Sequence, residues 1–450
     1  MSASLTEDVE YGMVYVGRSD WLLDFAVMSE TKQSKLPVVQ VAGATTALVL
    51  LTAMNFVNFI DRYIMPGVQE LVKKEFSLSD ERVGALTFWF FLTYMCAAPL
   101  TGWLGDHFPR KPLIVISALL MSGMNLFTAT VHDYLALNLR HAALGIAEAS
   151  FSIYAPALLA DFFEPDQRNR VLTIFYTAIP VGAAFGFALG GALGGKYGWR
   201  FPFYVSAGPG ILVAVLIWFF MKEPKRGETD SNEEGKSKAA KDTFFGLAKN
   251  PQYLFATLGM AAVVFSLGGI SAWVPSFLQR AGGYSSGAAG LIVGGITVLG
   301  GLGGTAIGGW IAQRWLRTNK RALYLISAWS ALLTVPPAML CFFGPKWAMV
   351  PGLALAQFFI FLGNGPLNAA IVNSVSGAIR ATAIAMELFL IHALGDAPSP
   401  RLIGLVSDHS TLATGLGVTL ISMVVASGLL FLGARTVNVE EAGPELKTAA

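Results

Sequence analysis

The chain has 450 residues, of which 54% are hydrophobic and only 13% charged, where a soluble domain carries roughly 25% charge. A net charge of +2 argues against a nucleic-acid partner, and Cys96 and Cys341, both in apolar segments, imply no disulfide or metal framework. Runs of the ~20 apolar residues needed to span a bilayer recur from end to end, so the chain reads as an all-α polytopic membrane protein.

Residues 1–38 are mixed and acidic and read as a cytosolic tail, with Trp21 to Met28 either a short interfacial helix or part of a disordered stretch. No charged segment precedes a short apolar run there, so a cleavable leader is not expected. Six spans follow, at 39–65, 82–104, 112–131, 134–161, 169–194 and 202–221. A charged segment at 222–249, rich in Lys, Glu, Ser and Gly, reads as a solvated linker. Six more spans occupy 251–278, 287–313, 321–343, 348–373, 380–406 and 412–434, and residues 436–450 form an acidic tail. The plan is two six-helix bundles, 39–221 and 250–435. Lys and Arg concentrate in the loops on the side of the tails, while the opposite loops hold Lys73, Lys74, Arg82, Lys196, Arg200, Arg280 and Lys346. That bias places both termini in the cytosol and, in a bacterium, the protein in the inner membrane.

The first span carries Asn58, Asp61, Arg62 and Tyr63 among Leu, Val, Phe and Met. Adjacent residues on a helix point about 100° apart. Either Asp61 and Arg62 end the span before Met65-Pro66-Gly67 and snorkel to the interface, or Asp61 faces a polar cavity while Arg62 tethers a neighbouring helix. The fourth span carries Arg140, His141 and, deep in its apolar run, Glu148. A buried carboxylate takes up a proton nearer neutral pH, so Asp61 and Glu148 are candidates for proton coupling. The alternative for Glu148 is a structural acid paired with Arg62 or Arg140. On the eleventh span His392 and Asp396 are one turn apart, as a local pinning pair or a gating element, and Pro398 and Pro400 should break or kink the helix. Glu387 is a further intramembrane acid. Asn364, Asn368 and Asn373 on the tenth span, with Ser271 and Trp273 on the seventh, are cavity-lining candidates or helix–helix hydrogen bonds.

Gly102-x-x-Gly105-Asp106-x-x-x-Arg110-Lys111 resembles the signature loop of the major facilitator superfamily, a conformational latch that does not bind substrate. The glycines permit close contact, Asp106 can cap a neighbouring helix N-terminus, and Arg110 and Lys111 anchor the cytosolic side. A weaker copy, Gly309-Trp310-Ile311-Ala312-Gln313-Arg314, ends the eighth span, as a parallel repeat requires. Asn58-x-x-Asp61-Arg62-Tyr63, Gly145-Ile146-Ala147-Glu148 running on to Tyr154-Ala155-Pro156, and His392 to Gly404 narrow the resemblance to the spinster family of lipid transporters. The resemblance implies twelve transmembrane helices of the major facilitator fold, alternating access, and transport of lysolipids, including lysophospholipids and sphingosine-1-phosphate, often coupled to protons. It calls for no cofactor and for a monomer whose partners are substrate, protons and membrane lipid. In that family an arginine precedes the fourth-span glutamate by seven residues. Here His141 holds that register, and Arg140 lies about 80° away on a straight helix. Arg62, Asn58, Arg140, His141, Tyr154, Trp273, Asn364, Asn368, Glu387 and His392 are the candidate substrate contacts. Gly102, Gly105, Asp106, Arg110, Lys111 and Asp396 are the candidate gating residues. A carrier of small organic anions or drugs on the same fold is the rival reading. An intramembrane lipid-modifying enzyme is disfavoured, since five histidines show no nucleophile–base or metal spacing.

Overall fold

The structure is a computed structural model, and it describes residues 42–224, 246–375 and 379–437. The tail 1–38 with its Trp21–Met28 stretch, most of the linker and the C-terminal tail beyond 437 lie outside the described residues. The first bundle comprises α1 (Ala44–Phe76), α2 (Asp80–His107), α3 (Arg110–Thr130), α4 (Tyr134–Phe162), α5 (Pro165–Tyr197) and α6 (Phe201–Phe220). The second comprises α7 (Pro251–Arg280), α8 (Ser286–Leu316), α9 (Ala322–Phe343), α10 (Met349–Asn373), α11 (Arg380–Ile391), a π-helical turn (His392–Asp396), α12 (Pro398–His409) and α13 (Leu412–Thr436). Eleven of these helices are long and apolar enough to cross a membrane. The twelfth crossing is assembled from α11, the π turn and α12.

Short polar residues begin many of these helices. Ser79, Asp133, Asn250, Ser285 and Thr411 each accept a backbone N–H three residues on, satisfying one of the donors a helix N-terminus leaves open. The first span departs from the sequence reading. It runs through Pro66 and Gly67 to Phe76 rather than ending at 65, because a proline is tolerated in a membrane helix where packed neighbours cover the backbone it disturbs. Gly67 is covered by Gly190 and Gly191 of α5. Asp61 and Arg62 therefore sit mid-helix, and the snorkelling alternative is excluded.

Within the first bundle α1 packs on α5 and α6, α2 on α4, and α3 on α4 and α6; in the second, α7 and α9 pack on α13, and α8 and α9 on α10. The bundles meet through α5 with α8, α2 with α12, and α1 with α7. These seams lie towards the end remote from the linker, here called the far end. There Arg280 pairs with Asp80 and Glu70, and Arg401 with Glu81. Backbone approach is close: a Cβ at Gly290 would lie 2.2 Å from the Phe187 carbonyl oxygen, and one at Gly404 2.3 Å from that of Asp80. Only glycine permits such contact at these two positions.

Candidate functional site

Between the bundles lies a cavity of about 130 Å³, lined by α1, α2, α4, α7 and the π turn. Polar side chains in its lining are Arg62, Tyr63, Gln69, Arg140, His141, Ser271 and Asp396, and among them lie Met65, Val83, Leu86, Phe90, Phe91, Leu144, Val264 and Leu267.

Arg62 and Asp61 diverge as adjacent helical residues must. Arg62 turns to the cavity and donates from Nε (2.8 Å) and Nη2 to one oxygen of Glu148, Oε2. Its guanidinium lies 4.9 Å from the Phe59 ring centroid and 5.1 Å from that of Phe90, where cation–π attraction is substantial. Glu148 is wholly buried, and its Oε1 has no hydrogen bond among the described residues. Of the partners left open by the sequence, Arg62 is the one that binds it. Asp61 turns away from the cavity into the first bundle, near Ser206, Arg140 and Asn125. Both its oxygens are buried without a hydrogen bond among the described residues, as are both amide atoms of Asn58 one turn earlier.

Arg140 and His141 both reach the cavity wall, although the helix sets them apart. The arginine is long enough to bend towards α3, where Nη2 donates to Asn125 Oδ1 at 2.6 Å and Nε to the Met124 carbonyl at 3.4 Å. The His141 Nδ1 stands 2.8 Å from the Leu137 carbonyl, which only a protonated Nδ1 satisfies. Its Nε2 is then the acceptor for Arg140 Nη1 at 3.3 Å. This bonding pattern is that of a neutral imidazole, and the fixed charge at this level belongs to Arg140.

The other candidates lie elsewhere. His392 is bonded through Nδ1 to Asp396 Oδ1 at 3.0 Å, and its ring stacks on Phe91 across the bundle boundary with centroids 5.1 Å apart. Trp273 is fully buried and donates from Nε1 to the Pro400 carbonyl at 2.8 Å, bracing α12 rather than lining the cavity. Tyr154 packs its ring beneath Gly105, where a Cβ would lie 2.8 Å away. Asn368 bonds to Asn364 within α10, and Glu387 is buried on α11, all three outside the cavity. In the signature loop Gly102 faces open space and Asp106 is exposed. The N-terminus of α3 is instead capped by Glu223, whose carboxylate accepts the Arg110 and Lys111 amides. Arg110 pairs with Asp161 and donates to the Ala157 carbonyl at 3.2 Å, while Lys111 lies 5.7 Å from the Trp218 ring.

Gln69 and Asp408 escaped the sequence reading, the first because the span was ended too early, the second because it falls at a span's end. Glu223 and Asp161 were also missed; their charges sit at helix termini, where any loop carries some.

The sequence profile described as Major Facilitator Superfamily matches residues 51–400. Protein spinster homolog 1 of Rattus norvegicus is 35% identical over 395 residues, covering 81% of this chain and 73% of its own. The chain belongs to the spinster family of the major facilitator superfamily. A second spinster-family relative, the sphingosine-1-phosphate transporter SPNS2 of Danio rerio, is 32% identical over 379 residues, covering 80% of this chain and 75% of its own. The crystal structure of a bacterial homolog to the human lysosomal transporter Spinster, inward-facing and unoccupied, shares the fold with a TM-score of 0.79 at 21% identity, over 88% of this chain and 97% of that one. This spinster-family chain is a multi-pass membrane transporter whose described helices make twelve crossings, and not an enzyme.

Proposed function

We propose that the protein carries lysolipids, single-chain amphiphiles with a phosphate headgroup, and that transport is coupled to protons. The observation that supports this reading is the amphiphilic lining of the cavity, which sets Arg62 and Arg140 among aromatic and aliphatic side chains such as Phe90, Phe91, Leu144 and Leu267. In this reading the bundles 39–221 and 250–435 rock about the cavity with both termini cytosolic, and a monomer suffices. Arg62 cannot serve Glu148 and a substrate phosphate equally, since both are anions drawing on one fork of donors. Protonation of Glu148 releases Arg62 to the headgroup, and loss of the proton draws it back. Asp61 is the second proton site. The latch formed by Gly102, Gly105, Asp106, Arg110 and Lys111, with Asp396 on the π turn, governs which end opens.

Liposomes holding the purified protein under an imposed pH gradient, with a labelled lysophospholipid, test this. Flux that follows the gradient and is lost in Glu148→Gln and Asp61→Asn is expected. Flux indifferent to the gradient and unchanged in both variants would overturn the coupling. Absence of lysolipid flux in folded protein, with flux of a small organic anion, would overturn the substrate class.

A further inference from the structure

At the far end α2 begins with an N-terminus that its own bundle only partly satisfies. Ser79 Oγ takes the Arg82 amide at 3.2 Å. The Asp80 and Glu81 amides are taken by the other bundle: Asp408, at the end of α12, accepts them through Oδ1 at 2.7 Å and Oδ2 at 2.9 Å. A carboxylate at a helix N-terminus gains both from charge-assisted hydrogen bonds and from the helix dipole. The contact is supported on both sides. Ser407 Oγ donates to Asp80 Oδ2 at 2.6 Å, and Gly404 lets α12 lie against the Asp80 carbonyl.

We propose that Asp408 is a positioning residue for alternating access, a carboxylate latch that holds the far end shut by capping α2 across the bundle boundary, and that it works in opposition to Asp106 at the other end of the same helix. The helix lengths make the two latches a matched pair. Asp80 and Asp106 are about 39 Å apart along α2, and Arg380 and Asp408 about 42 Å apart along the eleventh span, at 1.5 Å per residue. The two run antiparallel. With Asp408 seated on the first turn of α2, Asp106 is level with the first turn of α11. That helix start has no side-chain cap among the described residues, and Asp106 is exposed. Each span therefore carries an aspartate near its C-terminal end at the height of the other's N-terminus. In this structure the far-end latch is engaged and the linker-end latch is not. Contact of α2 with α12 and the π turn, where His392 stacks on Phe91, gives the pair a jointed pivot, so the two latches oppose one another without being rigidly tied.

The test is a measurement of state populations in the full-length protein in nanodiscs, by distances between spin labels at Lys196 and Ala281 across the far end and at Glu164 and Arg317 across the linker end. Asp408→Ala is expected to raise the ratio of far-end-open to far-end-closed protein about tenfold, the worth of two charge-assisted bonds reduced by solvent access. Asp106→Ala is expected to lower it, and the double variant to return towards wild type. A structural defect alone would not move the two single variants in opposite directions. An unchanged ratio in folded Asp408→Ala, or shifts of the same sign in both, would overturn the proposal. If Asp408→Ala does not fold, Asp408→Asn decides: its single amide oxygen can accept only one of the two N–H groups, and as a neutral acceptor at about half strength, so a shift of roughly five- to tenfold is expected and none refutes the latch.

Discussion

Replacing Gly290 by alanine should drive the transporter away from the far-end-closed state. In that state a Cβ at Gly290 would lie 2.2 Å from the Phe187 carbonyl oxygen and 3.0 Å from its carbon. Ordinary contact needs more than 3 Å, so α5 and α8 must separate by about 1 Å along a seam that also includes Gly191 and Ser286. Overpacking of this kind costs about 1–3 kcal/mol, and it is charged only to the state in which the seam is closed. Alanine's higher helix propensity, about 1 kcal/mol over glycine, applies to both states and cancels from their ratio. The balance between states should therefore move by about 5- to 150-fold. The spin-label pair Lys196 and Ala281 reads it directly. Gly295 on the same helix has nothing within 4 Å of its Cβ position, so Gly295→Ala should leave the distribution unchanged. Equal distributions in Gly290→Ala and Gly295→Ala would refute the argument that backbone contact at this seam holds the far end shut.

Trp273→Phe should lower thermal stability by about 1–3 kcal/mol, the cost of leaving the buried Pro400 carbonyl without its indole donor, while the apparent affinity for substrate stays unchanged; a Tm series and a transport KM separate the two effects. Glu223→Ala should uncap α3 and cost about 1 kcal/mol, seen as a lower Tm, whereas Asp106→Ala should leave Tm unaltered because its side chain is exposed. Ala272, on α7, lines the cavity, and Ala272→Phe should fill part of it and reduce uptake of long-chain lysolipids at least tenfold relative to short-chain ones, about 1.4 kcal/mol of discrimination; uniform loss across chain lengths would show that Ala272 does not line the acyl path.

The spans were legible because a bilayer demands about 20 apolar residues and little else matches that signal. The end of the first span was not, since Pro66-Gly67 reads as a stop in water but not beside the glycines of α5. The charged centre was legible as an anomaly: acids and arginines inside apolar helices announce themselves. Its wiring was not. Arg62 and Glu148 are separated by 86 positions, and Glu148 offered Arg62 and Arg140 equally until the helices were placed. Tyr154 and Trp273 looked like polar handles in a cavity, yet each serves packing, the one beneath Gly105 and the other against Pro400, because an aromatic in a membrane helix carries no mark of the side it faces. Asp408 had no signal, as a polar residue at a span's end is the commonest thing in such a protein, and its importance comes from the helix it meets.

The π turn at His392–Asp396 makes the eleventh span two rods joined by a soft coupling rather than one stiff beam. Five residues with wider hydrogen-bonded rings bend more readily than an α-helix, and such turns recur at functional sites. A beam would transmit motion without loss, so closing the linker end would pry the far end open in the same instant. With a joint at mid-height, α11 can swing against the first bundle while α12 still grips α2. Both ends could then be shut at once, and a transporter of this design would hand its cargo across without a moment in which the two compartments are connected.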